Sequence, residues 1–153
     1  MKRTDSARRL PVSVLLVEDN DDDVTLIREA IGEEDLVSIT GVVRDGEEAL
    51  AYLRRQGRYR KVSRPALVLL DINMPKKNGF QVLSELKSDA ELRQIPIVML
   101  TTSDRREDAL FSYAVGASSF ITKPVGFEAL QRVMKRFAIY WSRVARPPSP
   151  GPG

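Results

Sequence analysis

The sequence predicts an α/β fold, a doubly wound sheet of five parallel strands with helices on both faces. Three observations predict it. Short apolar runs alternate strictly with amphipathic stretches, in the order βαβαβαβαβα. Two of the runs, Leu67-Val-Leu-Leu70 and Ile97-Val-Met-Leu100, are apolar without a break, as central strands covered on both faces require. The 153 residues suit one domain large enough to bury such a sheet.

The elements follow in order. Val12-Ser-Val-Leu-Leu-Val17 reads as the first strand, and residues 21–31 as a helix burying Val24, Ile27, Ala30 and Ile31. Val37, Ile39, Gly41 and Val43 alternate with more polar positions, the pattern of a strand less fully covered on one face. Residues 45–55 form a helix burying Ala49, Leu50 and Leu53. After the third strand, Asn78 can cap a helix that carries Phe80, Val82, Leu83 and Leu86 inward. After the fourth, Asp104 and Glu107 make a capping-box-like start for a helix bearing Leu110, Tyr113 and Ala114 and ended by Gly116. Residues 118–122 are a short fifth strand and 126–144 a long last helix. Five such strands fit the flavodoxin-like order 2-1-3-4-5, whose site lies at the carboxyl ends of strands 1 and 3.

Composition narrows the chemistry. Hydrophobic residues make up 42% and charged residues 29%, the balance of a soluble globular domain, and a cytoplasmic location is expected. No apolar run approaches the ~20 residues of a membrane-spanning helix. The basic start, MKRTDSARRLP, lacks the apolar stretch of a secretory signal. Cysteine and histidine are both absent, which removes disulfides, thiolate metal sites and the commonest general base and zinc ligand. Carboxylates, hydroxyls and lysine remain. Much of the basic excess behind the net charge of +3 sits at the ends, at Lys2, Arg3, Arg8, Arg9, Arg143 and Arg146. No nucleic-acid-binding signature accompanies it, so no direct nucleic-acid binding is expected. Residues 1–10 read as a disordered basic tail, 11–145 as the domain, and the Pro/Gly-rich 146–153 as a disordered end.

The chemistry-bearing residues sit where the apolar runs stop. Strand 1 ends in Glu18-Asp19, strand 3 in Asp71 and strand 4 in Thr101-Thr-Ser103, and strand 5 leads into Lys123-Pro124. Crowded carboxylates are hard to keep ionised without a cation. An oxygen-only donor set suits Mg²⁺, which keeps waters and takes one or two carboxylates plus a phosphate oxygen. Such an ion lets a phosphoryl group approach an anionic nucleophile, and aspartates are known to form acyl phosphates. The Thr101 hydroxyl can hold one phosphoryl oxygen and the Lys123 ammonium can pair with another.

Asp71-Ile-Asn-Met-Pro75 with Gly79, the pair Glu18-Asp19, Thr101 and Lys123-Pro124 together resemble the receiver domain of two-component response regulators, the CheY-like family. The resemblance covers residues 12–144. It implies that Asp71 is the phospho-acceptor, and that Glu18 and Asp19 join Asp71 and the main-chain carbonyl of Asn73 around Mg²⁺ or Mn²⁺. It makes Thr101 the switch hydroxyl, Lys123 the phosphate-pairing cation, Lys123-Pro124 a cis peptide and Phe120 the switch aromatic. It implies a sensor histidine kinase as partner and a signalling role rather than turnover of a substrate. Positions 73 and 103 lie near the attacking-water path in related domains. Helix 4, strand 5 and helix 5 commonly make dimer or partner contacts in this family, and Tyr140 and Trp141 are the expected interface aromatics here.

Taken singly, each of these residues has a structural use; their joint occurrence at strand ends decides between the readings. A calcium loop at Asp19-Asn-Asp-Asp-Asp23 fails, because the positions that need glycine and glutamate hold Val24 and Ala30; Asp21, Asp22 and Asp23 read instead as favouring the first helix N-terminus. An aspartyl-phosphate hydrolase of the haloacid dehalogenase type fails, because its second aspartate is Asn73 here. Glu18 stands where Asp is common in receivers, with the same charge and slightly longer reach. The spacing from Asp19 to Asp71 exceeds the family's usual one, and the excess lies in a basic loop, residues 54–65. Similar loops occur in the stand-alone regulators that partner bacterial phytochrome-type kinases, which the Asp71 and Thr101 stretches also resemble. No output domain is expected after the last helix, so output falls to the receiver's own surface.

Overall fold

The computed structural model describes residues 10–32 and 36–148. The tails expected over 1–10 and 146–153 lie outside the described residues, save for Leu10 and residues 146–148. The chain runs β1 (Val12–Val17), α1 (Asp21–Ile31), β2 (Val37–Val43), α2 (Gly46–Leu53), a 3₁₀ turn (Gly57–Tyr59), β3 (Leu67–Leu70), α3 (Gly79–Ser88), β4 (Ile97–Thr101), α4 (Arg106–Val115), β5 (Ser119–Thr122) and α5 (Phe127–Ile139), which continues into a π-helical turn (Tyr140–Val144). The sheet has the order β2-β1-β3-β4-β5 and every pairing is parallel, as expected from the alternation of elements.

Because successive strand residues point to opposite faces, each central strand feeds two apolar layers. Leu15, Val17, Val68, Leu70, Ile97 and Met99 face the layer closed by α2 and α3. Val14, Leu16, Leu67, Leu69, Val98 and Leu100 face the layer closed by α1 and α5. Each fully buried Leu, Ile or Val stabilises the fold by about 1.5–3 kcal/mol, so these two layers fix the strand ends on which the site is built.

Side-chain caps open three of the helices, and the one expected at Asn78 is among them. Asn20 Oδ1 accepts the Asp23 N–H at 2.9 Å, and Asp45 Oδ1 accepts the Glu48 N–H at 2.8 Å. Asn78 and Gln81 form a full reciprocal capping box. The cap expected at Asp104 for α4 does not form. The helix begins at Arg106 without a side-chain cap, and Ser103 does the work expected of Asp104: its Oγ accepts the Arg105 N–H and donates to Asp108 Oδ2 at 2.6 Å. The face of α4 also differs. Leu110 and Tyr113 are 55% and 52% exposed, and the helix turns Ala109, Ser112 and Val115 inward instead. Small side chains let it lie close to the edge of the sheet, and Ser112 hides its hydroxyl on the Asp108 carbonyl.

Two expectations at the C-terminal end are corrected. Lys123-Pro124 is trans, with no cis peptide among the described residues; trans is the lower-energy isomer for an X–Pro bond that nothing forces over. Trp141 is not exposed but 8% accessible, within the α1/α5 layer. The reason is periodicity: Leu130, Met134, Phe137 and Trp141 alternate at spacings of four and three on one helical stripe, which Ala138 widens. Tyr140, one residue off that stripe, is 48% exposed.

The basic loop 54–65 is anchored rather than free. Tyr59 packs on Tyr52 at 5.0 Å between ring centroids and donates its hydroxyl to Glu48 at 2.6 Å. Arg64 Nε donates to the Leu53 carbonyl at 2.8 Å, and Arg54 pairs with Glu85 on α3.

Candidate functional site

Strand register delivers the site. Val17 of β1 pairs with Leu70 of β3, so the next residues, Glu18 and Asp71, emerge side by side; the Asp71 N–H donates to the Val17 carbonyl at 3.1 Å. On the other flank Thr101 pairs with Thr122, and the Lys123 N–H donates to the Thr101 carbonyl at 2.7 Å. Four strand ends therefore place Glu18, Asp19, Asp71, Thr101 and Lys123 on one edge, as the sequence predicts.

One carboxylate oxygen from each of Glu18, Asp19 and Asp71 lies within 4.8 Å of the others. Glu18 and Asp71 are buried, whereas Asp19 is exposed and leaves the cluster open to solvent. Three converging oxygens, no nitrogen or sulfur donor and one open side fit a hard divalent cation such as Mg²⁺ or Mn²⁺. Asn73, two residues past Asp71, is exposed in the loop that follows β3.

Lys123 binds this cluster from the β5 side. Its side chain is only 8% exposed, and Nζ lies 2.5 Å from Glu18 Oε1, 3.0 Å from Asp23 Oδ2 and 3.7 Å from Asp71 Oδ2. Asp71 Oδ1 accepts its neighbour's N–H, from Ile72, at 2.7 Å. Burial pushes the Glu18 carboxyl up to about 7, and the nearby Asp71 charge adds to the rise against the opposing Lys123 hydrogen bond. Burial opposes the charge of Lys123, but the Glu18 hydrogen bond and the charges of Asp71 and Glu18 outweigh it and raise its pKa. Lys123 therefore stays an ammonium.

The remaining expected residues line the neighbouring loop. Thr101 is fully buried, and its Oγ1 accepts the Ser103 N–H at 3.4 Å. Thr122 Oγ1 donates to the Ser103 carbonyl at 2.8 Å, tying the β4–α4 loop to β5. Phe120 is partly buried against the α2/α3 layer, and its N–H donates to the Tyr113 hydroxyl at 3.1 Å.

Two glycines clamp the loop after Asp71. A Cβ on Gly79 would lie 2.2 Å from the Asp71 carbonyl oxygen, and one on Gly46 would lie 2.1 Å from that of Lys77. Neither position has room for a side chain. Between them Lys76 adopts a left-handed backbone, φ 67°, a strain usually left to glycine. Sequence reasoning found neither the role of Gly46 nor that of Lys76, nor the contact from Asp23 to Lys123. Asp23 reads locally as a helix N-terminal charge, and its partner is a hundred residues away.

Comparison with known proteins agrees with this geometry. The family model described as response regulator receiver domain matches residues 14–135. Response regulator Rcp1 of Synechocystis sp. is 37% identical over 131 residues, 86% of this chain and 89% of its own length. Its Mn²⁺-bound crystal structure has a TM-score of 0.82 at 35% identity, covering 91% of this chain and 100% of that one. The phosphorylated cyanobacterial phytochrome response regulator RcpA has a TM-score of 0.86 at 42% identity, covering 91% of this chain and 99% of that one. Bacteriophytochrome response regulator RtBRR has a TM-score of 0.70 at 40% identity, covering 91% and 85%. An architecture read from strand ends and a family match across most of the domain lead to one conclusion: this chain belongs to the response regulator receiver domain family.

Proposed function

We propose that the protein accepts a phosphoryl group on Asp71 from the phosphohistidine of a sensor histidine kinase and signals through its own changed surface. The observation that carries this reading is the cluster itself: three carboxylate oxygens within 4.8 Å of one another, with the Lys123 ammonium 3.7 Å from Asp71. In the transfer a carboxylate oxygen of Asp71 bonds to phosphorus as the phosphorus–nitrogen bond breaks, and the histidine nitrogen keeps that electron pair. The product is an acyl phosphate. Glu18, Asp19, Asp71 and the Asn73 carbonyl would hold Mg²⁺ or Mn²⁺, which when bound neutralises the charge that would repel the phosphoryl group. Lys123 then pairs with one phosphoryl oxygen and Thr101 with another. This is a phospho-accepting signalling domain, with slow loss of its own phosphoryl group as its one hydrolytic act.

The phytochrome-linked names of RcpA and RtBRR, matched at about 40% identity over most of their length, support a phytochrome-type kinase as the donor and a cytoplasmic setting. No helix among the described residues is long and apolar enough to cross a membrane. The exposed apolar side chains of α4 and its neighbours, Leu110, Phe111, Tyr113 and Val125, support a dimer or partner surface on α4, β5 and α5. Tyr140 extends that surface; Trp141, being buried, does not. Phosphorylation shifts a two-state equilibrium by as much as the phosphoryl group favours one state, with Thr101 and Phe120 as the moving side chains.

Intact mass after incubation with acetyl phosphate tests the reading. One phosphoryl adduct is expected, lost when Mg²⁺ is chelated and absent in Asp71→Asn. An adduct of equal yield in Asp71→Asn would overturn the assignment.

A further inference from the structure

Lys123 Nζ has three N–H donors and three carboxylates around it, and one of the three has no part in the cation site. Asp23 lies 3.0 Å from Nζ, closer than Asp71 at 3.7 Å, yet it is outside the Glu18, Asp19 and Asp71 cluster. It is also firmly placed. Its own N–H is capped by Asn20 at 2.9 Å, and the following Val24 and Ile27 are buried in the α1/α5 layer. The carboxylate therefore sits on a fixed helix turn, not on a loop that could follow Lys123.

We propose that Asp23 is a positioning residue that holds Lys123 in the resting state and competes with the phosphoryl group for it. The inference rests on the receiver reading above. With a divalent cation bound in the cluster, Glu18 and Asp71 would share their charge with it and hold Lys123 less strongly. Asp23, outside the cluster, would keep its contact with Lys123. A phosphoryl group on Asp71 adds acceptor oxygens on the side where the Lys123 contact is longest. To reach them the ammonium must lengthen or give up its bond to Asp23. Asp23 thus sets a threshold: it lowers the affinity for the phosphorylated geometry without touching the phosphoryl group.

The test uses beryllofluoride with Mg²⁺ as a phosphoryl mimic, titrated by calorimetry into wild type, Asp23→Asn, Asp23→Glu, Lys123→Gln and the Asp23→Asn/Lys123→Gln double variant. Removing the one-third-exposed Asp23 charge from the pair should tighten Asp23→Asn on the order of fivefold, with Asp23→Glu near wild type. The gain should vanish in the Lys123→Gln background. A second readout needs neither Mg²⁺ nor phosphoryl mimic: the Lys123 ammonium resonance by ¹⁵N NMR should shift and exchange faster with water in Asp23→Asn. Equal or weaker beryllofluoride binding by Asp23→Asn, the same gain without Lys123, or an unmoved ammonium resonance would each overturn the proposal. A wild type that binds no beryllofluoride and takes no phosphoryl group would overturn the receiver reading, and this inference with it.

Discussion

At the scale of single residues, Glu18 decides how the site meets a cation. Its carboxyl is raised from 4.5 to about 7, first by burial and then by Asp71. A carboxyl raised on folding favours the folded state while protonated; that contribution is complete below 4.5 and is lost as pH rises through about 7. A divalent cation reverses the balance, because it binds the ionised form and must displace the proton below about pH 7. The stabilisation conferred by Mg²⁺ is therefore expected to grow from pH 6 to pH 8, read as the difference in Tm with and without the ion. An Mg²⁺-induced shift in Tm that is flat across that window would remove Glu18 from the site. The residue types and their place at strand ends were legible in the sequence, because apolar runs stop where the chemistry begins. The proximity of Asp23 to Lys123 was not. Three successive aspartates at a helix start have a sufficient local reason to be there, and only the folded register brings β5 beside them.

At the scale of elements, α3 is positioned by contact with Asp71. Its first residue, Gly79, donates its N–H to the Ile72 carbonyl at 2.7 Å and leaves no space for a Cβ against the Asp71 carbonyl. Gly79→Ala should cost about 1–3 kcal/mol in urea denaturation and slow labelling by acetyl phosphate, since relieving the clash displaces Asp71. Unchanged stability and labelling would show that the loop yields freely. The long, strongly periodic helices were readable, and so were the central strands. The inward face of α4 was not: its stripe of Ala109, Ser112 and Val115 is less apolar than the stripe of Leu110 and Tyr113 that it leaves outside. Hydrophobic periodicity gives the stripes of a helix, and at a thinly covered sheet edge close approach selects the smaller one. The trans Lys123-Pro124 bond departs from what family resemblance implies, and nothing local in the sequence distinguishes the isomers.

At the scale of the whole molecule, α5 ends in two neighbouring aromatics, one in the core and one in solvent. Trp141 closes the α1/α5 layer, and Tyr140 packs edge-on against it at 5.3 Å while facing solvent. Trp141→Ala should cost about 3–5 kcal/mol at any protein concentration. Tyr140→Ala and Leu110→Ala should leave the fold nearly intact and weaken self-association, measured by sedimentation of the phosphorylated protein. A phosphorylated wild type that stays monomeric, or variants that associate as wild type does, would direct the output to another surface.

The two glycines beside the Asp71 loop carry a consequence for how this protein can change over generations. Residue 46 and residue 79 admit no side chain, and Asp71 is held by its own strand register. Drift is thereby barred from Gly79, which ends the loop, and from Gly46, which packs against it, and is left to exposed loop positions such as Asn73. Descendants of this sequence can change the side chain at position 73, while the glycine frame around Asp71 stays as it is.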